Sequence, residues 1–217
     1  MSSNQNLWET LDSEICRNHQ RAYELLGTDL LTIFSYVEPN ISNAHCYSHQ
    51  IYQLFLRVCT EFEAVCKLAC NRLLIEPQKS NNYNFTTYQR LQNCSGNWKR
   101  DGFLMPSGSL SDYQFHIHHW NQLIQPLHSF GNVLGKRKPD WYDDYNSVKH
   151  NRLKHFDKAN LQNLVLAFFG LSALLDWQGI RANTWVTEVV DNYILIGEKF
   201  GYFTVGSDEG PTSRVHF

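Results

Sequence analysis

Residues 141–156, WYDDYNSVKHNRLKHF, carry the side chains of this chain that are best suited to chemistry. If the segment is helical, Asn146, Lys149 and His150 share one face, because positions three and four apart are neighbours on a helix. Arg152 lies beside them. A histidine can transfer a proton near neutral pH, and the two cations can neutralise a phosphate. The combination favours an anionic substrate, while a Lys-His-Asn-Arg run is also typical of the solvated face of an ordinary helix.

The residues YNSVKHNR at 145–152, followed by FDKANLQNLVLAFFGLSALL at 156–175, resemble the HEPN superfamily of helical-bundle proteins. Many members of that superfamily carry an Arg-Asn-x-x-x-His motif near the start of a late helix. Asn146 and His150 match this motif, whereas Tyr145 occupies the position of its arginine. The motif in this chain is therefore incomplete.

In those members the motif is the active site of a metal-independent ribonuclease, and two copies meet across the interface of a homodimer. The resemblance implies that His150 acts as general base on a ribose 2′-hydroxyl or as general acid on the leaving 5′-oxygen. Lys149 or Arg152 would replace the missing arginine and stabilise charge on the phosphate, and Asn146 would orient the histidine. No cofactor is implied. Members that lack the arginine are often non-catalytic modules that bind RNA, a nucleotide or a protein.

The resemblance also implies a role in bacterial defence or in a toxin–antitoxin system, with an antitoxin or another protein as partner. The formal net charge of -2, from 19 basic and 21 acidic residues, does not indicate a nucleic-acid-binding protein. A local patch does favour RNA, because Lys136, Arg137 and Lys138 precede the histidine segment and Lys154 lies within it. We therefore expect any RNA to bind at this patch.

Two carboxylates are candidates to support the site. Glu61 falls on the apolar face of a predicted helix, where an unpaired carboxylate is costly. We expect it either to pair with Arg152 or Lys149 across the bundle, or to lie at the edge of the core and reach solvent. Glu63, on a neighbouring face of the same helix, could play the same part.

The elements that position these residues follow from hydrophobic periodicity. Apolar residues at helical spacing predict helices over residues 20–36 and 48–76, the second with Ser48 as its N-cap. A further helix is predicted to carry the histidine segment, with Asp140 as its cap. Residues 159–177 are apolar on nearly all sides, which is typical of a buried central helix.

Residues 78–140 are rich in Asn, Ser, Gly and Pro and predict an irregular insert, with a short helix near 86–91 and an extended segment near 113–117. The predicted fold class is therefore mainly α. It is an up-down helical bundle, HEPN-like by the resemblance, in a single domain of 217 residues with a loop-rich insert that has room for short strands. The resemblance covers roughly residues 20–75 and 140–178 and leaves the insert unexplained.

The insert offers an alternative chemistry through the histidines of FHIHHW. In an extended segment His116 and His118 face the same way, and His119 and His128 are near. Together they could assemble a zinc or nickel site, which would make the protein a metal-dependent hydrolase. Because no recognised ligand motif accompanies them, we expect no metal here.

The composition indicates the environment. The N-terminus is polar, and no run of roughly 18 or more apolar residues occurs, so we expect a cytoplasmic protein that has no membrane association. The six cysteines are then expected to be free thiols, with Cys59, Cys66 and Cys70 as small core side chains. The polar residues 206–217 are expected to form a mobile tail.

Overall fold

A computed structural model describes residues 3–77, 83–94, 99–100, 103–104, 109–117, 120, 122–131, 138–180 and 194–195. Within these residues the chain is mainly helical, which confirms the predicted fold class at that level. The α-helices are α1 (Ser3–Phe34), α2 (His49–Arg72), α3 (Phe85–Tyr88), α4 (Asp140–His150), α5 (Arg152–His155) and α6 (Leu161–Trp177). Short 3-10 helices lie at Ile41–Asn43, Gln89–Cys94, Leu110–Asp112, His128–Gly131 and Phe156–Lys158. None of the described helices combines the length and the apolar character that crossing a membrane would require.

Helix α1 begins well before the predicted start at residue 20, and its N-terminal part is polar. Polar contacts with α2 anchor α1 at Cys16 and His19. Arg72 Nη2 donates to Cys16 Sγ over 2.7 Å, and His19 Nδ1 donates to Glu61 Oε1 over 2.5 Å. A search for hydrophobic periodicity does not find a helix that is anchored by polar side chains.

Helix α2 follows the predicted apolar pattern and connects the bundle. Ser48 is its N-cap, as predicted, because its hydroxyl accepts the backbone N–H of Ile51 over 3.1 Å. The helix ends at Arg72, earlier than predicted, and Leu74 then turns the chain with a positive φ of 52°. Helix α2 contacts α1, α3, α4 and α6. Its buried positions include Ile51, Leu54, Phe55, Val58, Phe62, Val65 and Ala69.

Helix α6 is the central helix that its uniformly apolar sequence predicts, and none of its residues is exposed. Asn160 caps it by accepting the backbone N–H of Asn163 over 3.0 Å. A Cβ atom at Gly170 would lie 3.1 Å from the Trp141 ring, so the glycine lets α4 approach α6 closely. Helices α2 and α6 therefore form the core against which α4 is positioned.

Helix α4 begins at Asp140, and Pro139 occupies the N-cap position, so the prediction that Asp140 is the cap is wrong by one residue. Proline has a fixed φ and no N–H, which suits a residue that ends the preceding loop. Trp141 Nε1 donates to the carbonyl of Pro126 over 2.8 Å. The face that α4 packs against the core consists of Trp141, Tyr142, Tyr145 and Val148.

The insert contains short helices and strands and is not a plain loop. The short helix predicted near residues 86–91 corresponds to α3 and the 3-10 helix that continues it. The extended segment predicted near 113–117 contains β3 (Phe115–Ile117), which pairs antiparallel with β4 (Gln122–Ile124) and β5 (Ile194–Leu195). Strands β1 (Lys99–Arg100) and β2 (Phe103–Leu104) form a second antiparallel pair. The insert also contributes to the core through Leu91, Leu110, Phe115, Leu127 and Phe130. The predicted tail at residues 206–217 lies outside the described residues.

Candidate functional site

His150 is the last residue of α4, and its side chain is exposed. Within the described part of the chain, no side chain bonds its imidazole. Asn146 lies one turn earlier and is half-buried, and its amide Nδ2 donates to the carbonyl of Tyr142 over 3.0 Å. The structure therefore presents the imidazole to solvent and holds the amide against the helix backbone.

Arg152 is not on the same helix as His150, so the prediction that Arg152 lies beside Asn146, Lys149 and His150 on one continuous helix is wrong. The helix is interrupted at Asn151, whose backbone is not helical (φ -148°, ψ 76°). The Asn151 side chain accepts the backbone N–H of Lys154 over 3.2 Å and so caps α5. The break turns Arg152 toward the start of α2 instead of along α4.

There Arg152 contacts three aromatic side chains. Its Nη2 donates to His49 Nδ1 over 2.8 Å, and its guanidinium lies 4.8 Å from the ring centre of Tyr52 and 5.3 Å from that of Phe156. Because a guanidinium has no acceptor, His49 Nδ1 must accept, and the proton of that imidazole is on Nε2. Among the described residues, no carboxylate lies within ion-pair distance of Arg152.

Glu63, and not Glu61, supports α4. Tyr142 donates to Glu63 Oε1 over 2.6 Å, and Tyr145 donates to Glu63 Oε2 over 3.3 Å. Lys149 Nζ donates to the Tyr145 hydroxyl over 2.9 Å and lies 3.6 Å from Glu63 Oε2. The carboxylate of Glu63 therefore neutralises Lys149, which leaves Arg152 as the better candidate for a phosphate-binding cation.

Of the two expectations for Glu61, pairing with Arg152 or Lys149 is wrong, because Glu61 lies on the side of α2 that faces α1 and bonds His19. Its half-buried position fits the other expectation, a residue at the edge of the core. A groove of about 380 Å³ runs along this side. Leu25 borders the groove and is 45% exposed. The remaining lining residues are Ala22, Leu26, Leu56, Arg57, Thr60 and Glu61.

Three side chains around Glu63 have raised pKa values, namely Tyr142, Tyr145 and Lys149. Burial, assisted by the hydrogen bond to Glu63, raises the pKa of Tyr142 far above its usual range. Burial also raises the pKa of Tyr145, against the lowering effect of the hydrogen bond from Lys149. The hydrogen bond to Tyr145 raises the pKa of Lys149, against desolvation. At neutral pH the cluster therefore holds two neutral phenols and one cation around one carboxylate.

The Tyr142 phenol is expected to make the protein less stable at alkaline pH. In the unfolded chain this phenol loses its proton near pH 10, whereas the folded chain retains it. Above about pH 10 the free energy of unfolding therefore falls by about 1.4 kcal/mol per pH unit for this group. The variant Tyr142→Phe should show a shallower decline by that amount in urea unfolding at a series of pH values. The variant Tyr36→Phe, which removes a phenol that is 79% exposed, is the control; equal slopes in Tyr142→Phe and the wild type would contradict the prediction.

The predicted RNA-binding cations are only partly described. Lys154 is exposed, and no carboxylate among the described residues pairs with it. Lys138 lies 3.5 Å from Asp143 across the start of α4. Lys136 and Arg137 lie outside the described residues. The described cations nearest to His150 in sequence are thus Lys149, which is neutralised, and Arg152 and Lys154, which are not.

The alternative metal site stays a prediction. His118 and His119 lie outside the described residues, as does the side chain of His116, while His128 is exposed in a 3-10 helix. No group of three or more His, Cys, Asp or Glu side chains within the described ranges is arranged to hold a metal ion. Five cysteines of the described part of the chain form no disulfide, and three of them, Cys59, Cys66 and Cys70, are fully buried in the core as predicted.

Sequence reasoning missed His49 and Tyr52 as neighbours of the histidine segment. They lie three apart in the first turn of α2, so they share a face of that helix. Two ring side chains thus follow the N-cap on one face of the helix that is not fully buried. Rings that remain partly exposed at the start of a helix are the signal that could have indicated a contact with another segment. Their contact with Arg152 spans about a hundred residues of sequence, which no local pattern reveals.

Comparison with models of known protein families, with curated proteins and with solved structures finds no match to this chain.

Proposed function

We propose that this protein is a HEPN-like, metal-independent endoribonuclease that acts on RNA as a homodimer, with His150 as the residue that transfers the proton. The observation that carries the proposal is the exposed imidazole of His150, at the end of a helix and two residues from an unneutralised arginine. Asn146 lies four positions earlier, the spacing of the family motif. Arg152, which follows the helix break, is proposed to take the role of the missing motif arginine.

The chemistry needs only side chains of this kind. His150 removes the proton of a ribose 2′-hydroxyl, and the 2′-oxygen attacks the adjacent phosphorus. The bond from phosphorus to the 5′-oxygen then breaks, and a protonated imidazole supplies the proton that the leaving oxygen needs. The products are a 2′,3′-cyclic phosphate and a free 5′-hydroxyl. Arg152 stabilises the negative charge that builds up on the phosphate oxygens, and its planar fork of donors matches phosphate geometry.

The proposal includes the homodimer because one imidazole cannot accept and donate a proton in the same step. A second copy of the chain would bring a second His150 to the same phosphate, one as base and the other as acid. A role in bacterial defence or in a toxin–antitoxin system, with an antitoxin or another protein as partner, is part of the same proposal and rests on the family resemblance.

A second candidate function is a non-catalytic helical module that binds RNA, a nucleotide or a protein. The position of Tyr145 favours it, because this residue replaces the motif arginine and is 1% exposed. Its hydroxyl forms hydrogen bonds with Glu63 and Lys149, inside the protein. In such a module the basic surface would bind a ligand and release it unchanged.

The test is cleavage of a labelled single-stranded RNA by the full chain in the presence of EDTA, with product ends analysed. The proposal expects products with a 2′,3′-cyclic phosphate, and no cleavage of a matched oligonucleotide that lacks the 2′-hydroxyl at the cleaved position. Binding without cleavage would overturn the proposal in favour of the non-catalytic module. Cleavage that EDTA removes and zinc restores would overturn it in favour of a metal-dependent hydrolase.

A further inference from the structure

Five side chains from two distant segments form an exposed cluster, here called the aromatic platform, which lies beside the break between α4 and α5. Phe156 is at its centre. Its ring centre lies 4.9 Å from that of His49, 5.5 Å from that of Tyr47 and 5.7 Å from that of Tyr52. The guanidinium of Arg152 covers Tyr52 and Phe156 at 4.8 and 5.3 Å. The platform consists of Tyr47, His49, Tyr52, Arg152 and Phe156.

The platform is not buried as ordinary core aromatics are. Tyr47 is 51% exposed, His49 and Arg152 are exposed, and Tyr52 and Phe156 are half-buried. The core of the bundle has other aromatic contacts, between residues that are almost fully covered. The exposed parts of Tyr47, His49 and Arg152 are therefore the parts of the platform that are available to a ligand that stacks.

The backbone fixes the platform in position. The chain at Tyr47 pairs with Asn160 in an antiparallel bridge, and the N–H of Leu161 donates to the carbonyl of Cys46 over 2.9 Å. These bonds connect the segment before α2 to the start of α6. The backbone at Tyr47 is therefore held beside the first turn of α2, which carries His49 and Tyr52, so these side chains need little ordering when a ligand binds.

The charge around the platform suits a polyanion. Arg152 and Lys154 have no carboxylate within ion-pair distance among the described residues. With Nδ1 of the exposed His49 accepting from Arg152, Nε2 of that ring is a further hydrogen-bond donor. Stacking faces combined with unneutralised cations are the arrangement by which proteins hold single-stranded nucleic acid.

We propose that the aromatic platform binds an unpaired nucleobase by stacking, and that it restricts the substrate to single-stranded RNA. The inference rests on the proposed function and adds a substrate class to the same site. The base stacks on Tyr47 and Arg152, and the adjoining phosphate lies toward His150, two residues before Arg152. In a duplex both faces of each base are covered by neighbouring bases, so double-stranded RNA cannot use the platform.

The test uses a short single-stranded RNA with 2′-fluoro sugars, which cannot be cleaved through the 2′-oxygen, and a 2-aminopurine base whose fluorescence is quenched by stacking. The full chain should bind this RNA and quench its fluorescence. The variant Tyr47→Ala should bind about 5- to 150-fold more weakly, the range for loss of one stacked base, and should not quench. Tyr47→Phe should keep both properties. Tyr36→Ala removes a tyrosine that is 79% exposed elsewhere and is the matched control.

Different results separate the failure of this inference from that of the proposed function. Cleavage of ordinary RNA by the wild type, together with unchanged affinity and quenching in Tyr47→Ala, overturns the stacking inference alone. Equal binding of a duplex overturns it as well. Absence of both cleavage and RNA binding in the wild type overturns both proposals. Loss of self-association in Tyr47→Ala without any effect on RNA would show a docking surface for protein, which also overturns the inference.

Discussion

Replacing His150 with alanine is expected to lower the rate of RNA cleavage by a factor of about 10² to 10⁴, the usual contribution of a positioned acid or base. The imidazole is exposed at the end of α4, and no described side chain bonds it, so its removal leaves the helix and its buried face intact. The loss should fall on the chemical step. We therefore expect a lower kcat at saturating RNA with little change in KM.

The matched control is His128→Ala, which removes another exposed histidine from a 3-10 helix of the insert. It should retain full cleavage. Both variants should unfold within about 0.5 kcal/mol of the wild type, as is usual for exposed side chains. If His150→Ala cleaves RNA at the wild-type rate, the proposed mechanism is wrong. Loss of activity in His128→Ala instead would direct attention to the histidines of the insert.

The largest stability effect is expected for Phe62→Ala. Phe62 is fully buried on α2, and its ring meets that of Trp141 edge-to-face at 5.1 Å and that of Phe130 edge-to-face at 6.3 Å. Truncation removes both contacts and leaves a cavity between α2, α4 and the insert. We expect the free energy of unfolding to fall by about 3 to 5 kcal/mol in urea titration, with a decrease in Tm of about 6 to 20 °C.

The control for this variant is Leu25→Ala on α1, a leucine that is 45% exposed. Its loss should change the free energy of unfolding by about 1 kcal/mol or less. Phe62→Leu should lie between the two, because it keeps most of the buried volume. A loss below about 1 kcal/mol in Phe62→Ala would contradict the packing of α4 against α2, and with it the placement of His150.

The helices with strong apolar stripes could be predicted from sequence, because burial of those stripes is what stabilises them. The Ser48 cap, the buried face of α2 and the all-round burial of α6 each depend on residues that are local in sequence. The N-terminal half of α1 could not be predicted in this way, since polar contacts with α2 hold it. The strand at β3 could be predicted, but its pairing with β5 spans a long separation that no local pattern encodes.

The candidate site could be predicted by residue type but not by geometry. Glu61 and Glu63 are two positions apart on one helix, and only the packing of α2 between α1 and α4 decides which of them meets Lys149. The break at Asn151 has only a weak signal in the sequence, an asparagine after two basic residues, without the proline or glycine that marks most helix ends. That one residue separates His150 from the expected neighbour and directs Arg152 to an aromatic cluster.

Helix α6 has no exposed residue, and thirteen of its seventeen residues are buried. An inner helix of this kind offers little surface to a neighbouring molecule. A twofold assembly that shares one phosphate between two histidines must consequently be built from outer elements, and the end of α4 lies among them. The most apolar segment of the sequence is therefore the least able to make a quaternary contact, and the proposed homodimer is expected to use the polar end of α4, which precedes it in the chain.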